Sequence, residues 1–175
     1  MPLYPAQDAE LPAIVDLVNA AYRGDAAARG WTTEAGYIDG PRINIGLLRA
    51  DLAAEPEAML LGWRDEADGP LLGCVWLEPA THEAWYLSML TVRPDLQDRQ
   101  LGRRLLAEAE AAAIRAGARR LRMTVVNIRD TLIAWYQRRG YGLTGKTRPF
   151  PYDDNRFGTP TRQDLSFVVL EKPLP

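Results

Sequence analysis

The sequence predicts an α/β protein of the mixed α+β kind, with a central mixed sheet of six to seven strands and about four helices. Apolar runs of strand length, rich in branched and aromatic residues, alternate with segments in which leucine and alanine recur at helical spacing. Three such runs, Met59–Arg64, Leu71–Glu78 and Trp85–Val92, are joined by short turns and are predicted to be antiparallel. A helical segment separates Trp85–Val92 from Arg120–Val126, so these two strands should be parallel with a right-handed connection.

The first third of the chain predicts a short strand and two helices. Leu3–Tyr4 is a candidate first strand, and Asp8 is a plausible N-cap for a helix that runs to about Arg23 with one apolar face. Gly24 supplies the end of this helix. A second helix is expected over roughly Arg42–Ala53, after a stretch in which glycine and proline favour a loop.

The second half predicts two helices and three strands. The helix that begins near Gly102 ends at Gly117, and a shorter helix, Thr131–Arg139, ends at Gly140. Two final strands are expected over Tyr141–Lys146 and Leu165–Glu171. The long segment between them, Thr147–Asp164, is predicted to lack regular structure, and loops of this length are often functional.

Length and composition favour a single domain over residues 1–175. The protein is expected to lie in the cytoplasm. The net charge is −2 and the pI is about 5.5, so neither suggests a general affinity for nucleic acid. The only cysteine, Cys74, lies in an apolar run and is expected to be a buried thiol in a reducing compartment. No leader or membrane span is expected. His82 is the only histidine and no Cys/His cluster exists, so no metal is expected.

The stretch Val92–Leu106, VRPDLQDRQLGRRLL, carries the clearest chemical signal. A polar turn joins a predicted strand to a predicted helix, whose first N–H groups have no partner within the helix. The helix dipole favours negative charge there, so the corner is a candidate phosphate site, and Arg99, Arg103 and Arg104 add positive charge. The alternative is a plain strand–helix connection with solvated arginines.

The same stretch resembles the acetyl-CoA motif of the GNAT superfamily of N-acetyltransferases, which reads Gln or Arg, two residues, Gly, one residue, Gly or Ala. Here the matching residues are Gln97, Gln100 and Gly102, so a glutamine replaces the first glycine. The resemblance covers nearly the whole chain and is best between Leu87 and Tyr141. A second family signature is matched by Asn127, Ala134, Tyr136, Gly140 and Tyr141.

The resemblance implies that acetyl-CoA is the co-substrate and that the central parallel strands splay to hold its pantetheine arm. It places main-chain contacts to that arm at Leu90, Thr91 and Val92, with Asn127 also near the coenzyme. If Gln100 must adopt a positive φ, its side chain costs roughly 1–2 kcal/mol, although its N–H survives. The pyrophosphate would be wrapped by Gln97, Asp98, Arg99, Gln100, Leu101, Gly102 and Arg103.

The resemblance also implies direct transfer of an acetyl group to a primary amine of a small molecule, amino acid or peptide. Tyr136 matches the tyrosine that protonates the departing thiolate; the alternative is that it is ordinary helix core. Glu83 is the candidate base, with Glu34 or a water chain as alternatives, because the strand offers only Tyr86 and Ser88. A catalytically silent acyl-CoA-binding module is the alternative function.

Two loop-prone segments, Trp31–Arg42 and Phe150–Phe157, are candidate walls of the acceptor site. The large and charged residues of these segments can equally well anchor a loop. An adjacent acidic pair in the second segment could attract a cationic amine. The acceptor's identity and the oligomeric state stay open, with a homodimer as one alternative. The candidate acceptor residues are Trp31, Glu34, Tyr37, Tyr152 and Asp153.

Overall fold

The structure is a computed structural model that describes residues 3–24 and 33–175, and for residues 97–99 it describes the backbone alone. The described residues form four α-helices: α1 Leu11–Arg23, α2 Ile45–Ala54, α3 Leu101–Arg115 and α4 Asp130–Gln137. The strands are β1 Tyr4–Pro5, β2 Ile38–Asp39, β3 Met59–Trp63, β4 Gly73–Pro79, β5 Ala84–Val92, β6 Arg120–Val126, β7 Gly142–Pro149, β8 Thr159–Pro160 and β9 Ser166–Pro173.

Seven of these strands form one mixed sheet in the order β1-β3-β4-β5-β6-β9-β7. Strands β5 and β6 are parallel, and every other neighbouring pair is antiparallel. The predicted fold class and the predicted parallel pair are therefore confirmed. Helix α3 forms the crossover between β5 and β6. This agrees with the helical segment predicted between the two apolar runs.

The prediction of an irregular Thr147–Asp164 segment was wrong in part. Strand β7 extends to Pro149, a 3₁₀ turn covers Asn155–Phe157, and β8 pairs with β2 in a separate two-stranded ladder. The partner of β8 lies more than a hundred residues earlier in the chain, so no local pattern could indicate this pairing. The ladder brings the two predicted acceptor walls together.

The predicted N-cap of the first helix was also wrong. Asp8 lies inside a 3₁₀ turn, Asp8–Glu10, and its carboxylate pairs with Arg49 on α2. The backbone N–H of Gln7 donates to Glu10 Oε2 at 2.9 Å, so Glu10 provides the capping interaction instead. Helix α1 then continues from Leu11, as the apolar pattern predicted.

Helices cover both faces of the sheet. On one face α3 and α4 pack through residues such as Leu105, Ala109 and Leu132, and on the other α1 and α2 pack through Ile14 and Leu48. Cys74 is buried in this second core and is not disulfide-bonded, as predicted. Within residues 3–24 and 33–175, no helix combines the length and apolarity that a membrane span requires.

Candidate active site

The parallel strands β5 and β6 separate at the centre of the sheet. They pair only over Ala84–Tyr86 and Arg120–Arg122, although β5 continues to Val92 and β6 to Val126. The unpaired ends of the two strands therefore diverge and leave a V-shaped opening. This is the splayed pair that the resemblance implied.

A β-bulge in β5 accompanies the separation. Trp76 lies opposite Ser88 and Cys74 opposite Thr91, so one residue of β4 faces two residues of β5. Met89 in the bulge has a φ of 51°, in the left-handed region, and its carbonyl oxygen accepts a 2.9 Å bond from the Thr91 hydroxyl. Because a bulge bends its strand and removes backbone groups from the ladder, it leaves main-chain groups available at the V.

A cavity of about 360 Å³ occupies the V and reaches both faces of the sheet. Tyr22 and Arg42 line it on the side of α1 and α2, whereas Leu132 and Tyr136 line it on the side of α4. Leu90 contributes to the wall between them. A ligand that filled this cavity would therefore contact elements on both faces of the sheet.

Tyr136 lies both in the core and on the cavity wall. Only 5% of the residue is exposed, and its ring packs edge-on against Trp135 and Tyr141 at centroid distances of 5.0 and 5.7 Å. Burial raises the pKa of Tyr136 well above its usual value, so its phenol remains protonated throughout the neutral range. The packing expected of helix core and a position suited to proton donation thus coexist in this residue.

A hydrogen bond connects the two strands where they begin to separate. The hydroxyl oxygens of Tyr86 on β5 and Thr124 on β6 lie 2.6 Å apart, and both residues line the cavity. The bond joins the last paired residue of β5 to a residue of β6 beyond the paired region. Neither residue had been predicted as part of the coenzyme site.

The predicted phosphate turn follows β5 directly. The backbone of Pro94–Arg99 forms a 3₁₀ turn, and α3 begins at Leu101. Gln100 between them has φ 58° and ψ 13°, so the position does adopt the left-handed conformation that favours glycine. Gly102 and Arg103 lie in the first turn of α3, where N–H groups lack helical partners. The backbone therefore forms the predicted strand–turn–helix corner despite the glutamine, and phosphate binding there stays a prediction.

The predicted pantetheine contacts are distributed unevenly. Leu90 lines the cavity, whereas Thr91 and Val92 are fully buried and do not belong to its lining. Asn127 likewise lies outside the lining: its Oδ1 accepts from the Ser166 N–H at 3.0 Å and its Nδ2 donates to the Asp164 carbonyl at 3.1 Å. Asn127 therefore fixes the end of β6 against the segment before β9.

The two candidate glutamates occupy different regions. Glu83 precedes β5 at the closed end of the V, is half exposed, and lies 3.7 Å from Arg120, so the structure does not bring it to the cavity. Glu34 does line the cavity, but its Oε2 accepts bonds of 2.8 and 3.2 Å from Arg23. Its carboxylate is thereby committed to an almost fully buried ion pair.

The remaining predicted acceptor residues mostly support the walls. Tyr37 is buried and its hydroxyl has no hydrogen-bond partner among the described residues. The Tyr152 hydroxyl accepts from the Leu165 N–H at 2.8 Å, and Asp153 is exposed; none of these three lines the cavity. Trp31 lies outside the described residues.

A second cavity, of about 320 Å³, opens between α2 and the sheet. Leu47 and Trp76 supply apolar surface, and Glu55 and Glu78 supply carboxylates. Residues common to both cavities mark their junction, at the bulge and at the meeting point of the two predicted walls: Arg42, Tyr86, Ser88, Met89 and Phe157. The described residues contain no cluster of three or more His, Cys, Asp or Glu side chains arranged to hold a metal.

A profile of the acetyltransferase (GNAT) family matches residues 13–141, which include the splayed strands, the phosphate turn and Tyr136. The chain belongs to the GNAT acetyltransferase family. This membership supports acetyltransferase activity that uses acetyl-CoA. No curated protein matches the chain by sequence.

Solved GNAT structures share the fold. The ribosomal-protein-alanine N-acetyltransferase from Brucella melitensis is 18% identical with a TM-score of 0.70, and the alignment covers 99% of this chain and 100% of that one. A GNAT acetyltransferase from Elizabethkingia anophelis with acetyl-CoA bound is 20% identical over 74% of this chain and 82% of that one, with a TM-score of 0.61. Nourseothricin acetyltransferase is 25% identical over 69% and 67% of the two chains, with a TM-score of 0.55.

Two site residues gave no functional signal in the sequence. Tyr22 belongs to the apolar face of α1 and resembles ordinary core, yet its ring lines the cavity and its hydroxyl lies 3.5 Å from the Leu90 carbonyl oxygen. Thr124 lies within a β-branched strand. The nearest signal was their position on elements that flank the predicted splay.

Proposed function

We propose that this protein is an acetyl-CoA-dependent N-acetyltransferase that transfers an acetyl group directly to a primary amine of a small molecule, amino acid or peptide. The observation that carries the proposal is the cavity at the V, which crosses the sheet and has the Tyr136 phenol in its wall. A thioester can enter from one face and an amine from the other, so the two reactants can meet without a covalent enzyme intermediate.

Contacts to the coenzyme would come mainly from the backbone. The N–H groups of the turn over Pro94–Arg99 and of the first turn of α3 suit the pyrophosphate, because a helix N-terminus favours anions. Leu90 lies on the wall along which the pantetheine arm would run. Since these contacts use main-chain atoms, replacement of a family glycine by Gln100 need not abolish them.

The coenzyme supplies a thioester: the amine nitrogen bonds to its carbonyl carbon, and the carbon–sulfur bond breaks. A main-chain N–H at the bulge around Met89 can stabilise the negative charge that develops on the carbonyl oxygen. Tyr136 would donate its phenolic proton to the departing sulfur. Its raised pKa does not drive this transfer, but it keeps the phenol protonated at neutral pH, so the proton is in place when the carbon–sulfur bond breaks.

The proton of the amine requires a separate acceptor. Glu83 does not reach the cavity, and the Glu34 carboxylate is bound by Arg23. We therefore assign this proton to water that reaches the junction through the second cavity, where the hydroxyls of Tyr86 and Ser88 can orient it. This assignment corresponds to the water relay that the sequence left open as an alternative.

The test is release of free CoA from acetyl-CoA across a panel of amines and amino acids. Tyr136→Phe should lower kcat about 100-fold, in the range for loss of a general acid, while acetyl-CoA binding measured by calorimetry stays within about twofold. Tyr141→Phe is the matched control, because it removes another buried phenol of the same core, one that bonds Glu110 and does not line the cavity.

The silent-module alternative has a distinct outcome. Wild type and Tyr136→Phe would then bind acetyl-CoA equally and show the same background CoA release with every amine. A protein that acetyl-CoA fails to stabilise against heat would contradict both functions, because a ligand that binds the native state must raise its Tm.

A further inference from the structure

Arg42 lies at the junction of the two cavities and lines both of them. Its neighbours in this shared lining include Met89 in the bulge and Ser88, the residue just before the bulge, next to which the acetyl group would lie. Any acceptor that reaches the bulge from the side of α1 and α2 therefore passes this cation.

The position of Arg42 is fixed by contacts of its backbone and of its side-chain faces. The N–H groups of Arg42 and Ile43 donate to Asn19 Oδ1 at 2.8 and 3.1 Å, and Asn19 Nδ2 donates to the Ile43 carbonyl at 2.9 Å. The guanidinium carbon lies 5.6 Å from the Tyr22 ring centroid and 5.0 Å from that of Phe157. Because stacking uses the faces of a guanidinium, its in-plane donors remain available to a ligand.

Unlike Arg23 and Arg156, Arg42 has no carboxylate partner among the described residues. Arg23 is paired with Glu34 at 2.8 Å, and Arg156, on the second cavity, is paired with Asp51 at 2.6 Å. A half-buried cation without a counterion is an unfavourable arrangement that an incoming anion would correct.

The charges around the first cavity also favour an anionic group on the acceptor. Among the described residues, four arginines and one glutamate line the first cavity, whereas two arginines and three carboxylates line the second, so the excess of positive charge belongs to the first cavity. A carboxylate on the acceptor would meet this positive charge on the side of the first cavity, whereas a simple cationic amine has no group that gains from it.

We infer that Arg42 binds the carboxylate of the acceptor, and that the acceptor is a free α-amino acid or a close analogue with an amine and a carboxylate on neighbouring atoms. This inference rests on the proposed function. The carboxylate would bind the guanidinium edge, the amine would point to the bulge, and the side chain would enter the second cavity. A peptide N-terminus fits less well, because its first carboxyl group is a neutral amide.

The catalytic test compares three forms of the same acceptor: the amino acid, its primary amide and the decarboxylated amine, for methionine, leucine and phenylalanine. The amino acid should have a kcat/KM at least tenfold above the other two forms. Arg42→Met should lower the value for the amino acids to that of the amides measured with the same variant. Arg42→Lys should retain part of the preference, because the charge remains but the bidentate geometry is lost.

Arg49→Met is the matched control. Arg49 is an exposed arginine of α2 that pairs with Asp8 and lines neither cavity, so the preference should be unchanged in this variant. Far-ultraviolet circular dichroism and Tm establish that each variant is folded; if Arg42→Met is not, Arg42→Lys and Arg42→Gln take its place.

A binding measurement separates this inference from the proposed function. The twenty proteinogenic amino acids and their amides are screened by thermal shift, without acetyl-CoA. At least one amino acid should stabilise wild type more than its amide does, and Arg42→Met should abolish the difference. If wild type shows this amino-acid preference in binding but acetylates no amine, the proposed function is overturned and the role of Arg42 in binding a carboxylate is not. Equal values for acids, amides and amines, or no amino-acid shift at all, would overturn the role of Arg42.

Discussion

Gln100→Gly is expected to stabilise the protein, although it shortens a side chain. Gln100 has φ 58° and ψ 13°, where a residue with a Cβ costs roughly 1–2 kcal/mol relative to the right-handed conformation. Glycine removes that cost, but its larger freedom in the unfolded chain returns about 0.5–1 kcal/mol. The net gain in free energy of unfolding is therefore about 0.5–1 kcal/mol, or a rise in Tm of about 1–4 °C for a domain of this size.

Urea denaturation and a thermal scan measure the effect, with Gln100→Ala as the matched control. Alanine removes the same polar atoms but keeps the Cβ, so it should leave the left-handed strain in place and give no gain. The reasoning is refuted if glycine and alanine variants have the same stability. Because the backbone N–H at this position survives in both, acetyl-CoA affinity should not fall in either variant.

Two further predictions concern the buried polar groups Arg23–Glu34 and Cys74. Arg23→Met should lower the free energy of unfolding by about 3–5 kcal/mol, because it leaves the Glu34 carboxylate almost fully buried without its partner. The double variant Arg23→Met/Glu34→Gln should lose less stability than the two single variants added together, and strict additivity would contradict this pairing. Burial raises the pKa of the Cys74 thiol to about 12, so native protein should not react with thiol reagents at pH 8, and a reaction faster than unfolding would contradict that burial. Since the unfolded thiol titrates near about 8.5, the folded state binds the proton more tightly, and Cys74 should make stability fall as the pH rises from there towards 12.

The order and type of the elements followed from local patterns. The strand at Trp85–Val92 and the helix beyond Gly102 were predictable because apolar period and β-branched content report which face of each element is buried. The shape of the phosphate corner was predictable for a related reason: a strand, a polar turn and a helix N-terminus are contiguous in sequence. Even the strain at Gln100 could be anticipated, since it depends on one residue's φ.

Which residues line the cavity could not be predicted in this way. In the sequence, Glu83 and Glu34 were comparable candidates for the general base. Only the structure separates them, because it shows at which end β5 and β6 stop pairing and places Glu83 at the paired end. The same holds for Tyr22, whose helical spacing indicates core and nothing more. Where the bulge falls in β5 depends on register with β4, which alternation along one strand cannot specify.

The sequence by itself determined a mixed α/β domain with a backbone corner suited to phosphate, because those features arise within short contiguous segments. The tertiary structure alone decided which charges are already paired. Arg23 meets the carbonyl of Phe157, and Arg156 meets Asp51, across separations of more than a hundred residues, and these contacts leave Arg42 with neither partner. Such pairings are set by how the two loop walls pack over the sheet, and no periodicity in the chain encodes them.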